Sequence, residues 1–150
     1  MGWTLHHDTA KMNWTQARDW CQAHHTDLVS IQNQTENDYV LKHLPNRTGT
    51  PYYWIGLTRT AEKWIWIGTN GTLAGYKSWA PNEPNNRTDE LCVEMYVNKD
   101  ATTRGKWNDE PCSKLKFPAC FKGDTKCCMC SNVLVKLTCE VCIYIPNCVL

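Results

Sequence analysis

Ten cysteines in 150 residues constrain this chain more than any other feature. A reduced cytosolic protein of this size rarely carries so many, and the density points to the secretory pathway, where disulfides form and persist. Five Asn-x-Ser/Thr acceptor triplets, at Asn13, Asn33, Asn46, Asn70 and Asn86, fit the same extracellular setting. The opening Met1-Gly2-Trp3-Thr4 has neither the basic region nor the apolar run of a secretory leader. The longest apolar candidate, Val133 to Ile145, contains Lys136 and Glu140 and falls short of the ~20 residues a spanning helix needs, so no direct membrane insertion is expected. Sixteen Lys and Arg against fifteen Asp and Glu leave a net charge of +1, too weak a field to recruit nucleic acid or an anionic surface. A chain of this length supports one core and a tail, and its specificity must come from a local site.

The pattern along the chain changes twice. Trp14, Ala17, Trp20 and Cys21 recur at helical spacing after Asn13, a capping residue. A second helix is predicted from about Thr35 to Leu44, with Asn33 and Glu36 in capping-box relation, Val40, Leu41 and Leu44 on one face, and Pro45 as its stop. From Tyr52 onward come short aromatic and β-branched runs, Tyr53 to Leu57, Trp64 to Ile67, Cys92 to Val97 and Lys106 to Trp107, so the fold class is α+β. Between Gly68 and Glu90 the chain is rich in Asn, Gly, Pro and Thr and reads as a long loop, the kind of segment that carries function. After Phe121 six cysteines follow in a short span, Cys127, Cys128, Cys130, Cys139, Cys142 and Cys148, which suit disulfides within or between molecules better than a zinc site.

Chemistry concentrates in the loop and just beyond it. Glu83, Asn85, Glu90, Asn108 and Asp109 are hard-oxygen donors of the kind Ca²⁺ collects in sets of about six to eight. A cis Glu83-Pro84 bond would turn both flanking side chains toward one ion. There is no His-Glu-x-x-His helix, Gly-x-Ser-x-Gly elbow or phosphate-cradling glycine loop, and the calcium reading absorbs the acidic residues, so no enzyme is expected. His6, His7, His24, His25 and His43 read as surface residues, and Trp54, Trp66 and Trp107 as core.

These residues resemble the C-type lectin family, and within it the selectin lectin domain. The resemblance is carried by Trp3-Thr4, Met12-Asn13-Trp14, Thr26-Asp27-Leu28-Val29, Ile31-Gln32-Asn33, Tyr52-Tyr53-Trp54-Ile55-Gly56, Trp66-Ile67-Gly68-Thr69-Asn70, Glu83-Pro84-Asn85-Asn86, Cys92-Val93-Glu94 and Gly105-Lys106-Trp107-Asn108-Asp109-Glu110. It spans residues 3 to 121 and leaves 122 to 150 as a cysteine-rich tail through which chains could pair. It implies a double-loop fold, with two helices, short antiparallel sheets and a long calcium-binding loop, and it implies the disulfides Cys21–Cys120 and Cys92–Cys112. It further implies that Ca²⁺ bridges to two vicinal sugar hydroxyls, which also meet Glu83, Asn85, Glu90 and Asn108. In the family, Glu-Pro-Asn goes with mannose, fucose or GlcNAc-type ligands and Gln-Pro-Asp with galactose. Sialyl-Lewis-type contacts map onto Tyr52, Tyr96 and Glu110, with Glu94 nearby. The chain departs from selectins by one residue fewer between Glu83 and Cys92 and one more between Cys92 and Trp107, where Asn98-Lys99-Asp100 replaces a more basic run. The expected function is calcium-dependent recognition of glycans on glycoproteins or cell surfaces, in adhesion or innate recognition. A calcium-independent protein-binding module and an ice-binding relative are the alternatives.

Overall fold

The computed structural model describes residues 2–68 and 71–123; the acceptor Asn70 and the tail cysteines lie outside them. Strand β1 (Trp3–His7) precedes helix α1 (Trp14–His24), strand β2 (Asp27–Leu28) and helix α2 (Gln34–His43). Six strands follow: β3 (Tyr52–Thr60), β4 (Lys63–Trp66), β5 (Gly71–Thr72), β6 (Cys92–Tyr96), β7 (Trp107–Glu110) and β8 (Phe117–Gly123).

Both helices begin where the sequence places their caps, but the reciprocal box forms at the other one. Asn13 Oδ1 accepts from the Gln16 N–H at 2.8 Å while Gln16 Oε1 accepts from the Asn13 N–H at 3.1 Å, satisfying two donors that a helix start otherwise leaves open. Asn33 accepts from Glu36 N–H, yet the Glu36 carboxylate reaches back to Gln32 N–H at 2.8 Å. The backbone explains the difference: φ is −68° at Asn13 but −158° at Asn33, which swings the Asn33 N–H off the helix end. Trp14, Ala17 and Cys21 form the buried face of α1, and Leu44 turns extended before Pro45.

Strand β3 is the hub. Along its length it pairs antiparallel with β4 and β6 and parallel with β8, through Tyr53↔Phe117 and Trp54↔Pro118. The sheets are therefore mixed rather than only antiparallel as expected, because β8 returns to β3 after a crossover long enough to reverse its direction. Strand β8 in turn pairs antiparallel with β1 and β2, bringing Trp3 opposite Gly123. Gly56 is required where β3 crosses β2, since a Cβ there would stand 2.8 Å from the Leu28 carbonyl oxygen.

The core holds the three tryptophans expected there: Trp54 and Trp107 are wholly buried and Trp66 nearly so. Two of these indole N–H groups donate within the core, Trp54 to Met12 O at 3.0 Å and Trp107 to Asn37 Oδ1 at 2.9 Å. Cys21–Cys120 and Cys92–Cys112 are bonded as the resemblance implies. The histidines divide. His24 and His43 are exposed, but His6, His7 and His25 are half-buried, and His6 stacks on His25 at 4.1 Å where β1 lies beside the end of α1.

Candidate functional site

Residues 73 to 91 join β5 to β6 with no regular structure of their own, so the core must hold this loop in place. Trp107 does much of that. Its N–H donates to Ser78 O at 2.7 Å and its carbonyl accepts from Ala80 N–H at 2.8 Å, while Trp79 and Tyr76 meet its ring edge-on. The loop is thereby fixed to the start of β7, the strand that carries Asn108 and Asp109.

Four of the five candidate ligands then converge. Glu83-Pro84 is cis. Asn85 N–H donates both to Glu83 Oε2 at 2.9 Å and to Asp109 Oδ1 at 3.0 Å, and Asn86 N–H donates to Asp109 Oδ2 at 2.8 Å. The Glu83 side chain also faces Asp109, and the Glu90 side chain meets the Asn85 amide. Asn108, the fifth, sits beside Asp109 on β7 and donates through Nδ2 to Glu94 at 3.0 Å, which leaves its amide oxygen as the acceptor end.

The electrostatics of this cluster are those of anions held together. Burial, the facing Asp109 carboxyl and the nearby Glu90 raise Glu83 above the ordinary carboxylate range. Burial first, then Asp109, raises Glu90 against the pull of Asn85 and Arg87. Among the described residues, Glu90 Oε2 is buried with no hydrogen-bond partner. Asp109 is wholly buried, Asn108 and Glu90 nearly so, while Asn85 is open to solvent. Three acids and two amides with one orphaned carboxylate oxygen fit a hard divalent cation, which would relieve the repulsion. Among the described residues no three His, Cys, Asp or Glu side chains form a closed metal cluster, so the amide oxygens of Asn85 and Asn108 belong in any donor set.

Beside it lies a second group, which the structure joins to the first through Glu94. Tyr52 and Tyr96 are paired across β3 and β6 with rings 5.5 Å apart. Burial, with Glu94, Glu83 and Glu110 around it, pushes the Tyr96 hydroxyl pKa well up. Lys116 ties the group together, 2.6 Å from Glu94 Oε2, 3.1 Å from Glu110 Oε2 and 4.8 Å above the Tyr52 ring. Burial pushes Glu94 up to about 7 against the attraction of Lys116. The sequence offered no sign of Lys116, one of several lysines near Cys112. Nor did it mark Arg59, whose buried guanidinium reaches from β3 to hold the loop carbonyls of Asn86 at 3.3 Å and Arg87 at 2.6 Å. Only a three-dimensional placement of β3 against residues 86 and 87 reveals that role.

The acceptor asparagines are also placed. Asn13 and Asn33 cap α1 and α2, Asn46 lies exposed in the turn after α2, and Asn86 is exposed with its Nδ2 donating to Pro84 O at 3.1 Å.

Comparison with known proteins places this geometry in a family. The Lectin C-type domain family matches residues 10–122. The chain is 44% identical over 135 residues to L-selectin of Bos taurus, covering 87% of this chain and 35% of that protein. Among solved structures it is similar to the cow C-type carbohydrate-recognition domain of CD23 in the presence of GlcNAc2Man3 oligosaccharide, with a TM-score of 0.69 and 31% identity, covering 83% of this chain and 91% of that one. It is similar also to a calcium-independent type II antifreeze protein, with a TM-score of 0.67 and 25% identity, covering 81% of this chain and 92% of that one. The fold and the loop site define a C-type lectin domain, a binding module rather than an enzyme. The chain belongs to the C-type lectin family and is selectin-like in sequence, and it spans about a third of the length of the L-selectin it matches.

Proposed function

We propose that this chain is an extracellular, calcium-dependent glycan-binding domain that takes mannose, fucose or GlcNAc-type residues and serves selectin-like adhesion or innate recognition. The observation that carries this reading is the convergence of Glu83, Asn85, Glu90 and Asp109 at one loop, beside Asn108, with a buried carboxylate oxygen lacking a partner. A Ca²⁺ held there supplies open coordination positions for two vicinal sugar hydroxyls. Glu83 and Glu90 accept hydrogen bonds from those hydroxyls, and the Asn85 and Asn108 amides donate to them. Tyr52, Tyr96 and Glu110 lie on the adjoining surface, where a second sugar ring of a sialyl-Lewis-like ligand could rest. The sugar-complexed CD23 domain and the selectin likeness support glycans as partners.

The test is thermal unfolding and glycan-array binding, each in calcium and in chelator. Calcium should raise Tm and be required for binding to mannose- or fucose-bearing glycans. Glycan binding indifferent to chelator, or none in either condition, would sink the reading and favour the calcium-independent alternative that the antifreeze likeness keeps in view.

A further inference from the structure

We propose that the histidines where β1 meets the end of α1 form an acid-sensitive latch: when they take up protons, the His6–His25 stack parts and β1 lets go of β8 while the rest of the domain stays folded. The latch lies outside the loop site and does not depend on the calcium reading.

The rings of His6 on β1 and His25 at the end of α1 stack face to face, 4.1 Å apart and 16° from parallel. Two neutral imidazoles pack well at that distance, whereas two imidazolium ions repel. The His24 ring stands 6.5 Å from His25, and Trp20 packs against both. From β8 the exposed Lys122 brings a further positive charge to His25. Beside His6 on β1, His7 faces the Arg47 guanidinium, with Asp8 pulling the other way. Among the described residues no carboxylate forms an ion pair with His6, His24 or His25, so nothing offsets the charge that acid puts there. His25 Nδ1 is also buried without a hydrogen-bond partner among the described residues. Burial first, then His6, His24 and Lys122, holds His25 below its ordinary value; burial first, then Arg47, does the same to His7. Groups lowered in this way stabilise the closed form fully above the ordinary histidine value of about 6.5. That contribution is lost as pH falls further, because the opened chain takes up protons more readily.

Topology decides which partner moves. The His25 N–H donates to Cys21 O at 2.7 Å, the Thr26 N–H donates to Phe121 O at 2.9 Å, and the Cys21–Cys120 bond fixes this corner to β8 covalently. Strand β1 has no such tie. It lies at the edge of the sheet, pairs with β8 alone, and carries His6 opposite Cys120. Repulsion between the rings is therefore relieved by lifting β1, against the β1–β8 ladder and the packing of Trp3 on Tyr39 and Phe121. Release parts residues 3 and 123, which face each other, and so changes how the chain enters and leaves the domain.

The experiment is hydrogen exchange of the full chain read by mass spectrometry near neutral pH and at about pH 5, where histidine clusters charge, corrected for the intrinsic pH dependence of exchange. Protection of β1 should fall by about tenfold, between the water and protein-surface limits for like charges at about 4 Å. Protection of the β3–β4 hairpin should not fall, since the raised carboxyls at the loop site stabilise the fold as a whole over that interval. The loss should be the same in calcium and in chelator, so its outcome is separate from that of the function proposal. His25→Phe keeps a flat ring beside His6 that cannot be charged, and should leave β1 equally protected at both pH values. His6→Gln removes the charge from the other side and should do the same; the wild-type comparison of β1 with β3–β4 stands without either variant. No loss at β1 in the wild type, an equal loss at β3–β4, or a loss that persists in both variants overturns the latch.

Discussion

Asp109 is the residue on which most of the site converges, since its two carboxylate oxygens receive the N–H groups of Asn85 and Asn86 from a loop that Arg59 also holds through the carbonyls of Asn86 and Arg87. Replacing it with Ala removes two charge-assisted hydrogen bonds and a ligand charge together. We expect the calcium-free stability to fall by about 2 kcal/mol, and the calcium-dependent rise in Tm and sugar binding to vanish as a pair in thermal unfolding and glycan titration. Loss of one without the other would separate the ion from the sugar. The acids also set a pH dependence whose sign follows from their surroundings. Glu83, Glu90 and Glu94 are all raised, chiefly by burial, and Glu94 reaches about 7. A carboxyl raised in the folded state takes up its proton there before the unfolded chain does, so the calcium-free protein should become more stable as pH falls from 7 toward 5. Calcium requires Glu83 and Glu90 in their ionised forms, so its contribution to Tm should shrink across the same window. Parallel slopes in calcium and in chelator would show that these carboxyls are not ligands. Exchanging Glu83 for Gln with Asn85 for Asp moves the carboxylate across the ion position; preference should shift toward galactose by about 1 to 3 kcal/mol, read as the ratio of galactose to mannose affinities.

Among the elements, the helices were legible because their signals are local. Asn13, the Trp14–Ala17–Cys21 spacing and Pro45 act within one or two turns, and the helices form within a residue or so of where those signals fall. Strands β1 and β8 were not legible. Pro118 argues against a central strand, and β8 exists only because β1, β2 and β3 close on it from distant parts of the sequence. The candidate ligand residues were visible as a donor set, since their chemistry does not depend on geometry, whereas Arg59 and Lys116 were invisible because theirs does. The disulfide Cys92–Cys112 links the first residue of β6 to the segment after β7 and so braces the hairpin that presents Asn108 and Asp109. Replacing both cysteines with Ala should cost about 3 kcal/mol, the loop-closure term for a loop of this length, measurable as a lowered denaturant midpoint, and should weaken calcium affinity more than the equivalent loss of stability would.

For the molecule as a whole, the acceptor triplet at Asn86 adjoins the candidate ligand site. Asn86 begins an acceptor triplet directly beside Asn85, but its amide nitrogen donates to Pro84 O, its oxygen meets Arg59 at 3.4 Å, and its φ of 56° holds a tight turn. The attachment atom is thus engaged in the loop's own bonding, whereas Asn33 and Asn46 lie exposed at the helical end. In material from glycosylating cells, glycopeptide mass spectrometry should find Asn86 less occupied than Asn33 or Asn46. If Asn86 is fully occupied, Thr88→Ala should increase binding to polyvalent glycans and leave calcium affinity alone.

The antiparallel register that sets Trp3 opposite Gly123, together with the bridge between Cys21 and Cys120, also decides how the domain transmits tension. A pull applied at residues 3 and 123 peels β1 from β8 one pair at a time, unwinds the first turns of α1, and then meets a covalent link. Beyond that point the load runs through sulfur, and residues 22 to 119, with the whole of the loop site, hang outside the line of force. The extensible length before the link is at most roughly 70 Å. Single-molecule stretching should therefore show one short release in the oxidised protein and several times that length after reduction, the first leaving the loop site untouched.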